Sequence, residues 1–256
     1  MFRRDSRRLV RIVSLAAAAL LVSSAGTRAE QTPLPSAQSI IDRFVKATGG
    51  AAALKAIKTI RARGTLTIPS QQLSGSFELI SARPNKSLTR ATIAGIGSVE
   101  EGYDGKVGWS IDPIGGPSLV TGKALIERAD ESWFDAPLHA QDYVGEMTVM
   151  GREDLESRPV YRVKVVLRSG TEQIELFDVE TGLQRGIVAT RETPLGPMPT
   201  TTLFHDYRKF GALMYPARVV QRLLGIEQVV TFETYEFDTV PPAAFDLPPV
   251  IKALIK

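Results

Sequence analysis

The side chains able to do acid–base or nucleophilic chemistry are few in this sequence, and most of them sit where turns are expected. Asp104, Asp112, Asp178 and Glu180 flank strand-like segments, and two of these carboxylates could serve as general acid and base. Asp104 belongs to Tyr103-Asp104-Gly105, however, and Asp178 and Glu180 border Thr181-Gly182. Acidic side chains in such places bond back to their own backbone, while glycine supplies the turn's φ freedom, so turn formation is the preferred reading of all four. His205-Asp206-Tyr207 sets a histidine beside a carboxylate, yet neighbouring strand residues point to opposite faces. His205 and Tyr207 are therefore expected on one face and Asp206 on the other, with no local proton relay. Ser110, in Gly108-Trp109-Ser110-Ile111-Asp112, lacks the second glycine of a nucleophile elbow and continues as strand.

Composition removes further classes. With no cysteine the chain forms no disulfide, thiolate zinc site or iron–sulfur cluster, and has no cysteine nucleophile. Only His139 and His205 are available for imidazole chemistry. No dinucleotide-binding glycine pattern, phosphate-binding loop or His-Glu-x-x-His occurs. The expectation is a protein with no metal, no cofactor and no catalytic residues.

The formal charge of +3 invites a nucleic-acid reading, but its location argues otherwise. Arg3, Arg4, Arg7, Arg8 and Arg11 precede an apolar run from Ile12 to Val22, and small residues follow to Ala29. This is the pattern of a secretory signal peptide over residues 1–29, with an apolar run too short for a comfortable membrane span. Ser6-Arg7-Arg8 only faintly matches a twin-arginine signal, so ordinary secretory export is preferred. No cysteine follows to carry a lipid. Cleavage after Ala29 would leave 25 basic and 27 acidic residues in 227, a net charge of −2 with no electrostatic claim on nucleic acid. The mature chain is expected to be exported to the periplasm as a soluble protein without a lipid anchor.

The remaining sequence must build whatever site exists. Residues 30–36 form a short polar leader, and 37–256 read as a single domain. Ala37, Ile40, Ile41, Phe44 and Val45 recur at helical spacing between the N-cap Ser36 and the terminator Gly49-Gly50. A second short helix is predicted over Ala51–Ile57. From Thr59 to about Tyr235 the texture is β, alternating with period two in Thr65–Ile68, Ser76–Leu79, Lys106–Ile111, Tyr161–Val165 and Gln173–Leu176. Asp104-Gly105 and Glu180-Thr181-Gly182 are turns between such runs, and the short spacing predicts an antiparallel meander. Thr121–Asp130 reads as a helix continued by the apolar loop Trp133–Leu138. Pro194–Pro199 reads as a loop, because proline is unsuited to a strand interior. The fold class predicted is mainly β (α+β): an incomplete antiparallel barrel, or strongly curved sheet, with covering helices.

If that cover is loose, the concave face becomes a cavity for an apolar ligand. Strand parity selects Leu66, Ile68, Phe77, Leu79, Trp109, Ile111, Val163, Val165, Ile174 and Leu176 as its lining. Trp109, Trp133 and Phe134 are the aromatic candidates for anchoring a ligand, although core packing is the commoner role of buried aromatics.

Several motifs in order carry a family likeness. They are the helix ending in Gly49-Gly50, Pro84-Asn85-Lys86 opening a strand, and Gly97-x-x-x-x-Gly102-Tyr103-Asp104-Gly105-Lys106-x-x-Trp109. Phe177-Asp178-x-Glu180-Thr181-Gly182-Leu183 and Asp206-Tyr207-Arg208-x-x-Gly211-x-x-x-Tyr215-Pro216 complete the series. Over roughly residues 38–238 the chain resembles the outer-membrane lipoprotein carriers LolA and LolB, within a LolA-like periplasmic branch. The resemblance implies an incomplete barrel with helices in its mouth, holding acyl chains or other apolar groups. The expected function is a non-enzymatic carrier for a lipid, an acylated protein or another hydrophobic ligand, with an envelope partner at a membrane. The alternatives are an envelope protein-interaction module with a filled core, and a hydrolase using the acidic turn residues.

Overall fold

Runs rich in β-branched and aromatic residues, alternating with period two, pair side by side when turns of two to five residues join them. Here they form one antiparallel sheet of thirteen strands, seen in a computed structural model that describes residues 33–193 and 195–255. The expected signal peptide, and residues 30–32 of the leader, lie outside the described residues. The first meander comprises β1 (Thr59–Ile68), β2 (Leu73–Ala82), β3 (Lys86–Ile93), β4 (Gly97–Tyr103), β5 (Gly108–Asp112) and β6 (Gly116–Val120). The second comprises β7 (Val144–Leu155), β8 (Arg158–Leu167), β9 (Glu172–Asp178), β10 (Gln184–Thr193), β11 (Gly196–Phe210), β12 (Leu213–Leu223) and β13 (Ile226–Phe237). Each strand pairs with its sequence neighbours, and the two meanders are joined only where β1 pairs with β13. The sheet does not close: β6 and β7 remain its edges.

Helices cover the inner face. In α1 (Ala37–Ala47) the Ser36 hydroxyl caps the first turn by accepting from the Ser39 N–H at 3.2 Å. Gly49 and Gly50 end it at φ 121° and 89°, and a side chain at Gly49 would stand 2.6 Å from the Ala212 carbonyl. That approach lets the Met214 N–H donate to the Thr48 carbonyl at 3.1 Å, tying the helix end to β12. The apolar stripe of α1 buries Ile40 and Ile41 against Tyr161, Val163, Val165 and Phe177. The short α2 (Ala51–Ala56) follows, and α3 (Gly122–Glu131) spans from β5 to β10. There Arg128 reaches Glu101 of β4 at 2.8 Å, and Glu127 accepts from the Glu192 N–H of β10 at 2.7 Å. Beyond it lie a 3-10 turn, Ala136–Leu138, and the one-turn α4 (Ala140–Tyr143).

The outer face has its own apolar core. Ile80, Leu88 and Trp109 are buried there by Val240, Phe245 and Ile251 of the C-terminal segment, which ends in α5 (Pro249–Lys252). Elsewhere this face carries a charge ladder across five adjacent strands. Arg63 meets Glu236 at 2.8 Å and Glu78 at 3.1 Å, and Arg90 meets Glu78 at 3.4 Å and Glu100 at 2.6 Å. The register sets Arg63, Glu78, Arg90 and Glu100 directly opposite one another, so the signs alternate from strand to strand.

Two expectations are corrected. Pro197 and Pro199 lie within β11 rather than in a loop, paired opposite Glu192 and Thr190 of β10. The β12 pairing ends at Thr200, so residues 196–199 have no neighbour on that side. The two prolines alternate, and their missing N–H groups fall where no ladder partner stands. At Asp206 a left-handed backbone (φ 53°) breaks the alternation, so His205 and Tyr207 do not share a face. His205 lies 3.6 Å from Glu156 on the outer side, while the Tyr207 hydroxyl donates inward to the Gln184 carbonyl at 2.8 Å. Desolvation lowers the His205 pKa, against the pull of Glu156.

At the end of the sheet nearest α2 the inner wall is aromatic. Tyr215 stacks on Tyr235 with centroids 4.8 Å apart, Phe210 and Phe232 pack on the same ring, and Phe77 meets Phe232 edge-on. The Tyr235 hydroxyl donates to the Pro216 carbonyl at 2.9 Å. Burial raises the phenols of Tyr207, Tyr215 and Tyr235, with Tyr215 pushed up to about 12.

Two stability predictions follow from this packing. A phenol raised in the folded state adds stability that is complete below about pH 10 and is lost as the pH climbs toward 12. Alkaline denaturation should begin in that window, with Tyr215→Phe flattening the pH dependence; tyrosines titrating normally in the native near-ultraviolet spectrum would refute it. The Trp109 indole lies flat over Gly102, where an added Cβ would come within 2.1 Å of the ring. Gly102→Ala should cost about 1–3 kcal/mol in a urea unfolding experiment.

Candidate ligand cavity

The curved sheet and its cover do not meet everywhere. Between them lies a cavity of about 850 Å³. Leu66 and Ile68 of β1, Phe77 and Leu79 of β2, Ala91 and Ile93 of β3 and Val99 of β4 form one wall. Phe204 of β11, Val219 of β12, and Val230, Phe232 and Tyr235 of β13 form the other. Phe44 of α1, Thr48 at its C-cap and Leu54 of α2 close one end, and Trp133, Phe134 and Pro137 reach in from the segment after α3. Arg83 fixes this cover to the β2–β3 corner. It donates to the Leu54 and Ile57 carbonyls at 2.9 and 2.7 Å and pairs with the buried Asp135, while Phe134 N–H bonds the Pro84 carbonyl at 3.1 Å.

The ten residues selected by parity divide accordingly. Leu66, Ile68, Phe77 and Leu79 stand on the wall of this cavity. Val163 and Val165 also face inward, but α1 packs over them, and Val165 reaches only a second, smaller cavity. Trp109 and Ile111 are on the outer face beneath the C-terminal segment. Ile174 and Leu176 point outward as well, because Gln173 and Glu175 are the inward residues of β9. Parity sorts a strand into two faces without saying which is inside, and in β5 and β9 the apolar set is the outer one. The β11–β13 wall went unselected because a bulge between Arg63 and Gly64 sets Phe232 and Tyr235 three apart, hiding their common side. Trp133 and Phe134, the aromatic candidates, do line the cavity.

The three aspartates among the candidate acid–base residues are committed to turns. Asp104 accepts from the Lys106 and Val107 N–H groups, both at 2.8 Å. Asp112 accepts from Ile114 and Gly115 at 2.9 and 2.6 Å, which holds its carboxyl below the usual range. Asp178 accepts from Glu180 and Thr181 at 3.0 and 2.8 Å. Burial alone would raise Asp178, but these bonds and Arg158 outweigh it and hold the group low. Among the described residues no three acidic or histidine side chains form a metal-ligand set.

The smaller cavity, about 480 Å³, sets carboxylates and amides among apolar side chains. Glu175 accepts from the side-chain amides of Gln173 and Gln184 at 2.7 and 2.9 Å. Desolvation nonetheless holds its carboxyl above the ordinary range. Arg191 bonds Gln173 at 3.2 Å and Glu131 at 2.5 Å, and Asp130 accepts from the hydroxyls of Ser169 and Thr171.

No protein-family model matches the chain, and no curated protein sequence matches it. Solved structures do. A LolA superfamily protein from Nitrosomonas europaea is 14% identical, with a TM-score of 0.56 over 84% of this chain and 99% of that one. A DUF1329 family protein from Desulfovibrio piger is 12% identical, with a TM-score of 0.55 over 82% and 96%. A domain described as an outer membrane lipoprotein-sorting protein, from Vibrio parahaemolyticus, is 12% identical, with a TM-score of 0.54 over 82% and 95%. At such identities the shared property is architecture: this chain has the LolA-like fold, an open curved antiparallel sheet covered by helices.

Proposed function

We propose that this chain is a non-enzymatic carrier that binds a hydrophobic ligand, a lipid or an acyl chain, inside the curved sheet. The observation that carries the reading is the 850 Å³ cavity walled by Leu66, Ile68, Phe77, Leu79, Val219 and Val230. Protein interiors normally pack to crystal density with few voids larger than a water molecule. An apolar void of ligand-pocket size forfeits packing energy along its whole lining, and apolar voids that stay dry take up apolar guests. A protein-interaction module with a filled core has no use for such a space. A hydrolase built on the acidic turn residues would need them free, whereas Asp104, Asp112 and Asp178 are held by backbone N–H donors. The lipoprotein-sorting description of one structural neighbour agrees with a carrier acting in the periplasm, where an N-terminal signal peptide would send the chain.

The environment-sensitive dye N-phenyl-1-naphthylamine tests the reading directly. The native protein should bind it saturably, and native mass spectrometry should detect co-purified lipid. Val219→Trp, which fills the cavity from β12, should weaken dye binding at least tenfold, about 1.4 kcal/mol, with little change in melting temperature. Ile111→Ala on the outer face should leave binding unchanged. Absence of saturable binding by the native protein, with no lipid carried through purification, would overturn the proposal.

A further inference from the structure

The two cavities are neighbours of different character. Phe44, Glu131, Trp133, Phe134 and Gln184 line both, so the two adjoin one another. The smaller one is lined by four carboxylates, Glu127, Asp130, Glu131 and Glu175, against one cation, Arg191. Their existing partners do not use them up. Glu127 is only 4% exposed, and its Oε2 accepts from the Glu192 N–H, but its Oε1 is buried without a hydrogen bond, the Lys123 ammonium standing 3.8 Å away. Glu175 accepts two amide N–H donors and has no cation paired with it, leaving lone pairs of a carboxylate free. The Arg191 Nη1 donor is likewise buried and unbonded.

We infer that the smaller cavity is a headgroup subsite, taking the cationic head of an amphiphile, such as a primary ammonium, whose apolar chain lies in the larger cavity. This rests on the carrier reading and adds the class of cargo. An ammonium brings three donors and a positive charge to a lining of four carboxyl groups and one guanidinium. A phosphate or carboxylate head alone would be repelled there, and a purely apolar end would leave the buried carboxylates without donors. Arg191 Nη1 would bond an acceptor on the same head, a hydroxyl or ester oxygen. The raised carboxyl of Glu175 fits this assignment, since a cation placed beside it restores the charged form.

Competition against bound N-phenyl-1-naphthylamine separates the two ideas. Among dodecylammonium, dodecanoate and dodecyl maltoside, which share chain length, dodecylammonium should compete at least tenfold better than dodecanoate. Glu175→Gln should shrink that gap to about threefold or less while leaving dye affinity intact. If this variant melts early, Asp130→Asn, in the lining of the smaller cavity alone, serves in its place, with the same narrowing expected. Equal competition by all three amphiphiles in the native protein would refute the headgroup subsite yet leave the carrier reading standing, whereas failure of the dye itself to bind would sink the carrier reading. A lysophospholipid with an ethanolamine head and a palmitoylated lysine peptide carry the same cation. Whichever displaces the dye identifies a lipid or an acylated protein as the source, and displacement by neither would also overturn the assignment.

Discussion

Everything in this molecule hangs on the ladder between β1 and β13. Each meander alone is a curled ribbon with a free edge, and only the pairing of residues 60–67 with 229–237 turns the two ribbons into one trough. The same ladder brings Leu66 beside Val230 and Gly64 beside Phe232, so it joins the two walls of the large cavity as well as the two halves of the chain. The charge ladder crosses this seam on the outer side, where Arg63 touches both Glu236 and Glu78. Isolated exposed pairs of this kind contribute little, so the stabilising part of the seam is the apolar face beneath. Fully burying one large apolar side chain there is worth about 1.5–3 kcal/mol.

A sheet of this size has two faces to cover, and the chain divides its helical segments between them. α1, α2 and the stretch from α3 to α4 serve the inner face, while the C-terminal segment with Phe245 and Ile251 serves the outer one around Trp109. The inner cover is incomplete over β1–β4 and β11–β13 and closer over β8, where Ile40 and Ile41 seat on Val163 and Val165. The same construction therefore yields packed core at one side of the trough and open space at the other. The smaller cavity lies where the two regimes meet, between α3 and β8–β10.

The sequence disclosed period and order more readily than sidedness. Helix limits at Ser36 and Gly49-Gly50, the meander and the helical bridge near 121–131 all follow from local signals that the structure realises. Which face of β5 turns inward is decided by a distant partner, Ile251 beneath Trp109, whereas in β9 the inward Glu175 is held by the nearby amides of Gln173 and Gln184. Alternation failed at Asp206 and near Gly64 because a single left-handed or bulged residue reverses every side chain beyond it. The suitability of Pro197 and Pro199 for a strand is non-local for a related reason, since it depends on where the β12 pairing stops, at Leu223 opposite Thr200. Of the cavity wall, the part borne by β1 and β2 was legible, because regular strands carry it.

An open trough also has to avoid joining its neighbours rim to rim. Its two unpaired margins, β6 and β7, are built unlike the interior strands. β6 is only five residues long, carries Pro117 and has α5 packed against it. β7 is interrupted by irregularities near Gly145 and Gly151, which bend its hydrogen-bonding row out of line. Neither margin offers the long, flat row of donors and acceptors that a second sheet needs in order to add on. The shape that leaves room for a guest is thus also shielded against polymerisation, and lengthening or straightening either margin would remove that protection.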